Sequence, residues 1–461
     1  MKLSPLERFL RLFTDVRPGE GKDALLMFAN VFLILCAYYF IKPLREGWIM
    51  VSEVAGLEQM EVKAYTYFGQ ILLLVFAVAW YSSLVNRWPR AKLITWVTLF
   101  CMSNLVLFWF LQPDFFFGHL PVSGIVFYLW VGMFGVFVVA QFWAFAADVY
   151  SDEQGRRLIP MVAIGATAGA AFGSQITQFL VEGGFADLLE TLGLEALAAL
   201  ARQILVTESL LLLALIPLGA SIVLTRIVDR RQGSPGPPEK SEEAPASAFG
   251  GLSLVLSSRF LLAVTIITLL LNWVNTNGEF LLTRVLEAAL ESQAEAEGLT
   301  EAEAVRRFMY AGTAAFYGNF FKLVNVIALL LQAFVASRLL KYGGFGAILM
   351  LLPVVALTSY ATMALVPILV MVKLMKVAEN ATDYSINNTA RHVLWLPLPS
   401  DVKFKGKTTI DSLFVRLGDG MATLTVLVGV RVLGLATAGF FVFNVALVLV
   451  WIVFGLVVVR D

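Results

Sequence analysis

The feature that most limits what this chain can become is a series of apolar runs, each about as long as a bilayer is thick. A helix needs about 20 apolar residues to cross the hydrocarbon region. Runs of that kind cover about 24–50, 64–85, 91–112, 122–150, 160–182 and 207–228, then 257–288, 311–338, 345–365, 366–390, 409–434 and 437–459. Only 15% of the residues are charged, against about a quarter in soluble domains. The expected fold is therefore an all-α membrane protein with twelve transmembrane helices, lodged in the lipid bilayer.

Composition changes sharply once, near the middle. From Arg230 to about Ala248 the chain is polar and rich in Pro, Gly and Ser, which reads as a flexible linker. This predicts an N-terminal six-helix bundle over 1–228, a cytoplasmic linker over 229–256 and a C-terminal six-helix bundle over 257–461. Six spans on either side of a central loop resemble the major facilitator plan. Lys and Arg fall in every second loop: Arg87, Arg90 and Lys92; Arg156 and Arg157; Arg230 and Arg231; Arg338 and Lys341; Lys403, Lys405 and Lys407. The intervening loops carry Glu53, Glu58, Asp114, Asp187 and Glu190 instead. By the positive-inside rule both termini are expected in the cytoplasm. The polar first residues do not read as a cleavable leader, so the first span is expected to act as an uncleaved anchor. Two outer stretches, about 185–204 and 289–307, are expected as interfacial helices, the second opened by a capping box at Thr300-Glu301-Ala302-Glu303.

Several function classes fall away. A formal net charge of zero gives no general pull toward nucleic acid. Cys36 and Cys101 sit inside apolar runs, which argues against a disulfide framework. His119 and His392 stand far apart and no zinc-type spacing occurs, so no metal or cofactor is expected. No nucleophile–base pair or Walker-type motif supports an enzyme.

The chemistry lies in charges placed where lipid would discourage them. Tyr39, Lys42, Arg45 and Glu46 close the first apolar run. A charge at mid-membrane costs roughly 2.5–3.5 kcal/mol on insertion scales, and residues three apart share a helix face. Lys42 and Arg45 thus read as a docking point for an anion; the competing reading is that they snorkel to outer headgroups with Glu46 neutralising one of them. Further intramembrane groups are Asp148, Glu279, Arg284, Lys322, Lys373, Lys376, Glu379, Asp383, Arg391, Arg416 and Asp419. Such groups face wet cavities and pair with one another. Lys376 with Glu379, and Arg416 with Asp419, are spaced to satisfy each other as structural pairs. Gly165, Gly169 and Gly173 lay a flat stripe along the fifth span, read as close helix packing.

Several motifs in order resemble the nucleotide transporter family, the ATP:ADP antiporters of plastids and intracellular bacteria. They are Tyr39-Phe40-Ile41-Lys42-Pro43-Leu44-Arg45-Glu46, Gln141-Phe142-Trp143-Ala144-Phe145-Ala146-Ala147-Asp148, Asn275-Thr276-Asn277-Gly278-Glu279, Tyr384 through Arg391, and Lys405-Gly406-Lys407-Thr408-Thr409-Ile410-Asp411. Relative to the family pattern, Lys and Arg are exchanged in the first motif, Pro43 enters its spacing, and Ala147 stands where an Asn precedes the acid. The resemblance implies a secondary transporter in a bacterial inner membrane, exchanging ATP-type nucleotides by alternating access. It implies transport roles for Arg45, Asp148, Glu279 and Lys407. With the residue reading added, Lys42, Arg45 and Arg391 or Lys407 are expected to contact phosphates, Tyr39 or Trp143 to stack on a base, and Asp148 and Glu279 to pair with those cations in the empty state. The protein is expected to be a monomer. The alternatives are a proton-coupled facilitator for another organic anion or a lipid, and a membrane scaffold or sensor without transport.

Overall fold

A computed structural model of the chain describes residues 4–11, 14, 16–85, 89–113, 120–204, 209–232, 255–256, 258–395, 406–407 and 409–460. Most of the expected linker, His119, Arg87, Lys403 and Lys405 lie outside these residues. Among the described residues the regular structure is helical: α1 (Pro5–Leu10), α2 (Gly21–Met50), α3 (Gln59–Val85), α4 (Arg90–Phe110), α5 (Ser123–Phe134), α6 (Gln141–Val149), α7 (Asp152–Val181), α8 (Gly184–Thr191), α9 (Glu195–Ile204), α10 (Ser209–Leu213), α11 (Leu215–Gln232), α12 (Arg259–Ala296), α13 (Ala302–Leu331), α14 (Ser337–Leu365), α15 (Leu369–Thr382), α16 (Asn388–Leu394), α17 (Val415–Arg431) and α18 (Thr437–Arg460). Among the described residues four π-helical turns interrupt or open helices, at Gly135–Ala140, Gln332–Ala336, Asp383–Asn387 and Ile410–Phe414.

Nine helical stretches of the described residues are long and apolar enough to cross a membrane. Three other expected spans, over α3, over α15 and α16, and over α17, are helical but not among the nine. The last two carry Lys373, Lys376, Glu379, Asp383, Arg391, Asp411, Arg416 and Asp419, and these charges lower their hydropathy. One sequence expectation changes. No separate helix covers 289–307: α12 runs on to Ala296, the chain turns at Gly298 in a left-handed conformation (φ 72°), and α13 starts at Ala302. The Ala- and Glu-rich sequence favours helix on both sides, and Gly supplies the one residue that tolerates the turn. The 185–204 stretch forms α8 and α9, closed on each other by Ala186, Leu189, Ala198 and Ala201.

The chain divides into two compact units. The first comprises Met1–Ser52, Leu72–Glu239 and Leu299–Asn325; the second comprises Glu53–Ile71, Lys240–Gly298 and Val326–Asp461. Both α3 and α13 are thus shared, each part belonging to a different unit.

In the first unit the central pair is α2 against α7. Gly165, Gly169 and Gly173 repeat every four residues and face the main chain of Phe28, Phe32 and Cys36, which repeat in step. A side chain at Gly165 or Gly173 would come within 2.7 or 2.6 Å of the Phe28 or Cys36 carbonyl oxygen, and one at Gly169 would overlap the Phe32 carbonyl. Small residues permit this approach where lipid offers helices no hydrophobic drive to associate. The same pairing accommodates Pro43, which lies inside α2. Proline has no N–H to give the carbonyl four residues earlier. That carbonyl belongs to Tyr39, and the buried Thr177 hydroxyl of α7 donates to it at 3.0 Å. In the second unit α12 packs against α17 and α18. Gly418 lets α17 close on the Leu269 carbonyl, and the buried Asn277 amide donates to Asn444 of α18 at 2.7 Å.

Candidate functional site

The first unit carries two cations deep in α2, and each is laid on an aromatic ring. Lys42 Nζ stands 4.0 Å from the ring centre of Phe321 on α13 and 5.2 Å from that of Tyr39. The Arg45 guanidinium lies 4.3 Å from the ring centre of Tyr128 on α5 and is ion-paired with the buried Glu46. Tyr39 meets Phe321 edge-on at 5.7 Å, and Tyr38 stacks on Phe134 at 6.0 Å. Ring faces carry negative potential, and such contacts are worth about 2 kcal/mol when desolvated. The rings thus offset part of the cost of holding the cations away from bulk water. Glu46 is the adjoining residue, so the Arg45 pair is made within one helix and does not tie α2 to a neighbour. Beside this group the Asn325 amide donates to the Ser174 hydroxyl at 3.2 Å, both residues buried. The Ser174 hydroxyl in turn donates to the Ala170 carbonyl.

The other expected groups of this unit stand apart from the two cations in their contacts. Asp148, at the end of α6, is ion-paired with Arg90, which also donates to the Ala144 carbonyl at 2.9 Å. The expected pairing of Asp148 with Lys42 or Arg45 does not occur. Arg90 opens α4, which packs against α6, and it therefore reaches the last turn of α6. Trp143, one turn earlier, is half-buried and meets the Phe142 ring edge-on at 5.4 Å.

The second unit holds a denser cluster. Lys376 on α15 is fully buried, with Nζ 2.9 Å from Glu379 Oε2, 3.7 Å from Glu279 Oε1 on α12 and 3.0 Å from Asn275 Oδ1. Asn380 donates to Glu279 at 2.9 Å, and the Tyr360 hydroxyl on α14 lies 3.2 Å from Glu379 Oε1 and 3.0 Å from the Val274 carbonyl. One ammonium is thus shared by two carboxylates, a group of formal charge −1. Gly278 makes room for it: a side chain there would strike the Tyr360 hydroxyl and lie 2.9 Å from Lys376 Nζ. Glu279 therefore pairs with Lys376 rather than with the phosphate-contacting cations expected for it.

Nearby on α17, Asp419 accepts from Thr276 at 2.7 Å and from Arg416 at 3.2 Å. The two i,i+3 pairs read from the sequence therefore both form. Arg391 on α16 is ion-paired with Asp411 at 3.2 Å. With Asn387, Thr268 and Asn272 it lines a cavity of about 30 Å³, room for about one water. Lys407 is helical and half-buried just before the π turn at Ile410–Phe414. Sequence reasoning assigns Lys376 to a local pair with Glu379 and misses its second carboxylate, Glu279. Glu279 lies 97 positions away (376 − 279) and on another helix, and no spacing rule reaches that far. Tyr128 and Phe321, the ring platforms, carried no sequence signal among so many aromatic residues.

Comparison with known proteins now bears on this geometry. The profile of the family described as TLC ATP/ADP transporter matches residues 122–460, well over half of the chain. The chain belongs to the TLC ATP/ADP transporter family. It is accordingly a transporter and an integral membrane protein. Among solved structures, a variant of the nucleoside transporter NupG superposes with a TM-score of 0.60 at 11% identity, covering 95% of this chain and 98% of that one. A variant of the peptide transporter POT gives 0.56 at 12% identity, with 99% and 98% covered. The human organic anion transporter MFSD10 gives 0.53 at 13% identity, with 95% and 100% covered. At these identities the likeness is one of fold, the major facilitator type. No curated protein matches the chain by sequence at a significant level.

Proposed function

We propose that the protein exchanges nucleotides of the ATP/ADP type across a bacterial inner membrane by alternating access, as a monomer of twelve spans in two six-helix bundles with both termini cytoplasmic. The observation that carries this reading is the pair Lys42 and Arg45, held in a membrane span on aromatic faces. The carboxylate paired with Arg45, Glu46, is its own neighbour in sequence, and both cations lie over aromatic rings. Phosphates supply the opposite charge. Arg45 can bind phosphate oxygens in a bidentate manner, and Lys42 acts as a point charge beside it. Tyr39 or Trp143 stacks on the base. Arg391 and Lys407 make further phosphate contacts once Asp411 releases Arg391. Asp148 and Glu279 hold Arg90 and Lys376 and change partners during the cycle.

Uptake of labelled ATP into proteoliposomes tests the exchange. Liposomes preloaded with ADP should accumulate label many-fold faster than empty ones. Equal uptake by loaded and empty liposomes would refute antiport.

The Lys376 cluster favours a second reading. With two carboxylates, Glu279 and Glu379, around one ammonium, a carboxylate can accept a proton and release it again while the other keeps Lys376 paired, which suits a proton-coupled facilitator for another organic anion or a lipid. Uptake driven by a pH gradient in empty liposomes, with no nucleotide competition, would select that reading.

A further inference from the structure

A second group of cations lies on the first unit, away from Lys42 and Arg45 in sequence and in the helices that carry it. The start of α4 and the end of α11 pack together and enclose a groove of about 320 Å³. Lys92, Arg226 and Arg230 line its polar end, and Trp96 and Leu99 line its apolar wall. Arg226 and Arg230 are four apart and so lie on one face of α11. Lys92 sits in the first turn of α4, where the helix dipole adds positive potential. Trp96 and Leu99 are 55% and 41% exposed, and the apolar surface continues along both helices through Phe100, Val223 and Ile227.

The neighbouring cations are disposed differently. At the same ends of the first unit's helices Arg90 pairs with Asp148, Arg157 with Glu20, and Arg231 with Asp23. Neither Arg226 nor Arg230 makes an ion pair among the described residues. A cationic end that opens onto a lipid-facing apolar wall matches an amphiphile with an anionic head. A soluble anion would use the cations and leave the wall uncovered. A Trp beside such cations also suits the headgroup level.

We infer that the groove between α4 and α11 binds an anionic phospholipid, its phosphate at Lys92, Arg226 and Arg230 and its acyl chains along Trp96 and Leu99. The test uses the delipidated full-length protein in detergent, titrated with phosphatidylglycerol or phosphatidylcholine and read by native mass spectrometry. Wild type should bind phosphatidylglycerol in preference to phosphatidylcholine. The Arg226→Gln/Arg230→Gln variant should lose about thirty-fold in apparent affinity, from about five-fold per cation removed. Arg226→Lys/Arg230→Lys keeps the charge and should stay within a few-fold of wild type, which guards against a folding defect in the first variant. Millimolar inorganic phosphate or ATP should not displace the lipid. Unchanged phosphatidylglycerol affinity in the Gln variant, equal loss in the Lys variant, or displacement by phosphate or ATP would overturn the assignment. None of these outcomes depends on nucleotide exchange.

Discussion

Removing the ammonium of Lys376 should be among the most costly single changes in the chain. The side chain is fully buried, and its Nζ lies 2.9 Å from Glu379 Oε2 and 3.7 Å from Glu279 Oε1. At an effective dielectric constant of about 20 these contacts are worth about 6 and about 4 kcal/mol before desolvation. Desolvation cancels much of that sum, but Lys376→Met would leave the buried Glu379 and the part-exposed Glu279 side by side without their cation. Breaking a buried pair from one side typically costs about 3–5 kcal/mol, which lowers the melting temperature of a unit this size by on the order of 10 °C. Trp48 and Trp130 lie in the first unit and Trp273 and Trp451 in the second, with Lys376, so intrinsic tryptophan fluorescence reports unfolding of either. The companion variant Lys376→Met/Glu379→Gln removes charge from both sides and should recover about 2 kcal/mol or more of the loss. A single variant that melts within 2 °C of wild type (roughly the smallest resolvable shift), or a double variant worse than the single, would refute a charged cluster.

Other expectations concern the scaffold. Gly169→Ala drives a methyl into the Phe32 main chain and should cost about 1–3 kcal/mol, seen as a lower melting temperature in the same assay. Thr177→Val keeps shape but leaves the Tyr39 carbonyl without its donor, a loss of about 1–3 kcal/mol; Thr177→Ser should be much milder. At the start of α2, hydrogen bonds from the Arg157 guanidinium hold the Glu20 carboxyl down at about 2, against an ordinary 4.5. Because the folded value is the lower one, this stabilisation is present above pH 4.5 and lost as pH falls from 4.5 toward 2. After solvent screening it amounts to about 1 kcal/mol. Glu20→Gln should flatten that part of the stability–pH curve, and an unchanged curve would count against the pair.

How much of this was legible in the sequence follows from the range of each signal. Spans and the basic loops rest on composition within about 20 residues, and most helices lie where the runs predict them. The pairs Lys376 with Glu379 and Arg416 with Asp419 follow from one helical turn. The Gly165, Gly169 and Gly173 stripe announced a close approach, but its partners Phe28, Phe32 and Cys36, though spaced alike, are not small residues that would mark a matching stripe. Pro43 read as an intrusion into a motif; its compensation by Thr177 is a contact between residues 134 positions apart (177 − 43). The partner of Asp148 was missed because Arg90 reads equally well as a topology-setting loop cation. The interfacial helix at 289–307 failed for a local reason, since continuous helix propensity hid the turn at Gly298.

The central claim is that Lys42 and Arg45 receive the phosphates of the cargo, and Arg45 gives the most direct measurement. Arg45→Ala alone would strand the buried Glu46, so the informative variant is Arg45→Ala/Glu46→Gln, checked for wild-type-like melting. Charged hydrogen bonds are worth about 1.5–3 kcal/mol each, so ATP uptake by ADP-loaded proteoliposomes should fall between about 10-fold and 150-fold, with Arg45→Lys in between. Uptake equal to wild type in the folded double variant would contradict the account.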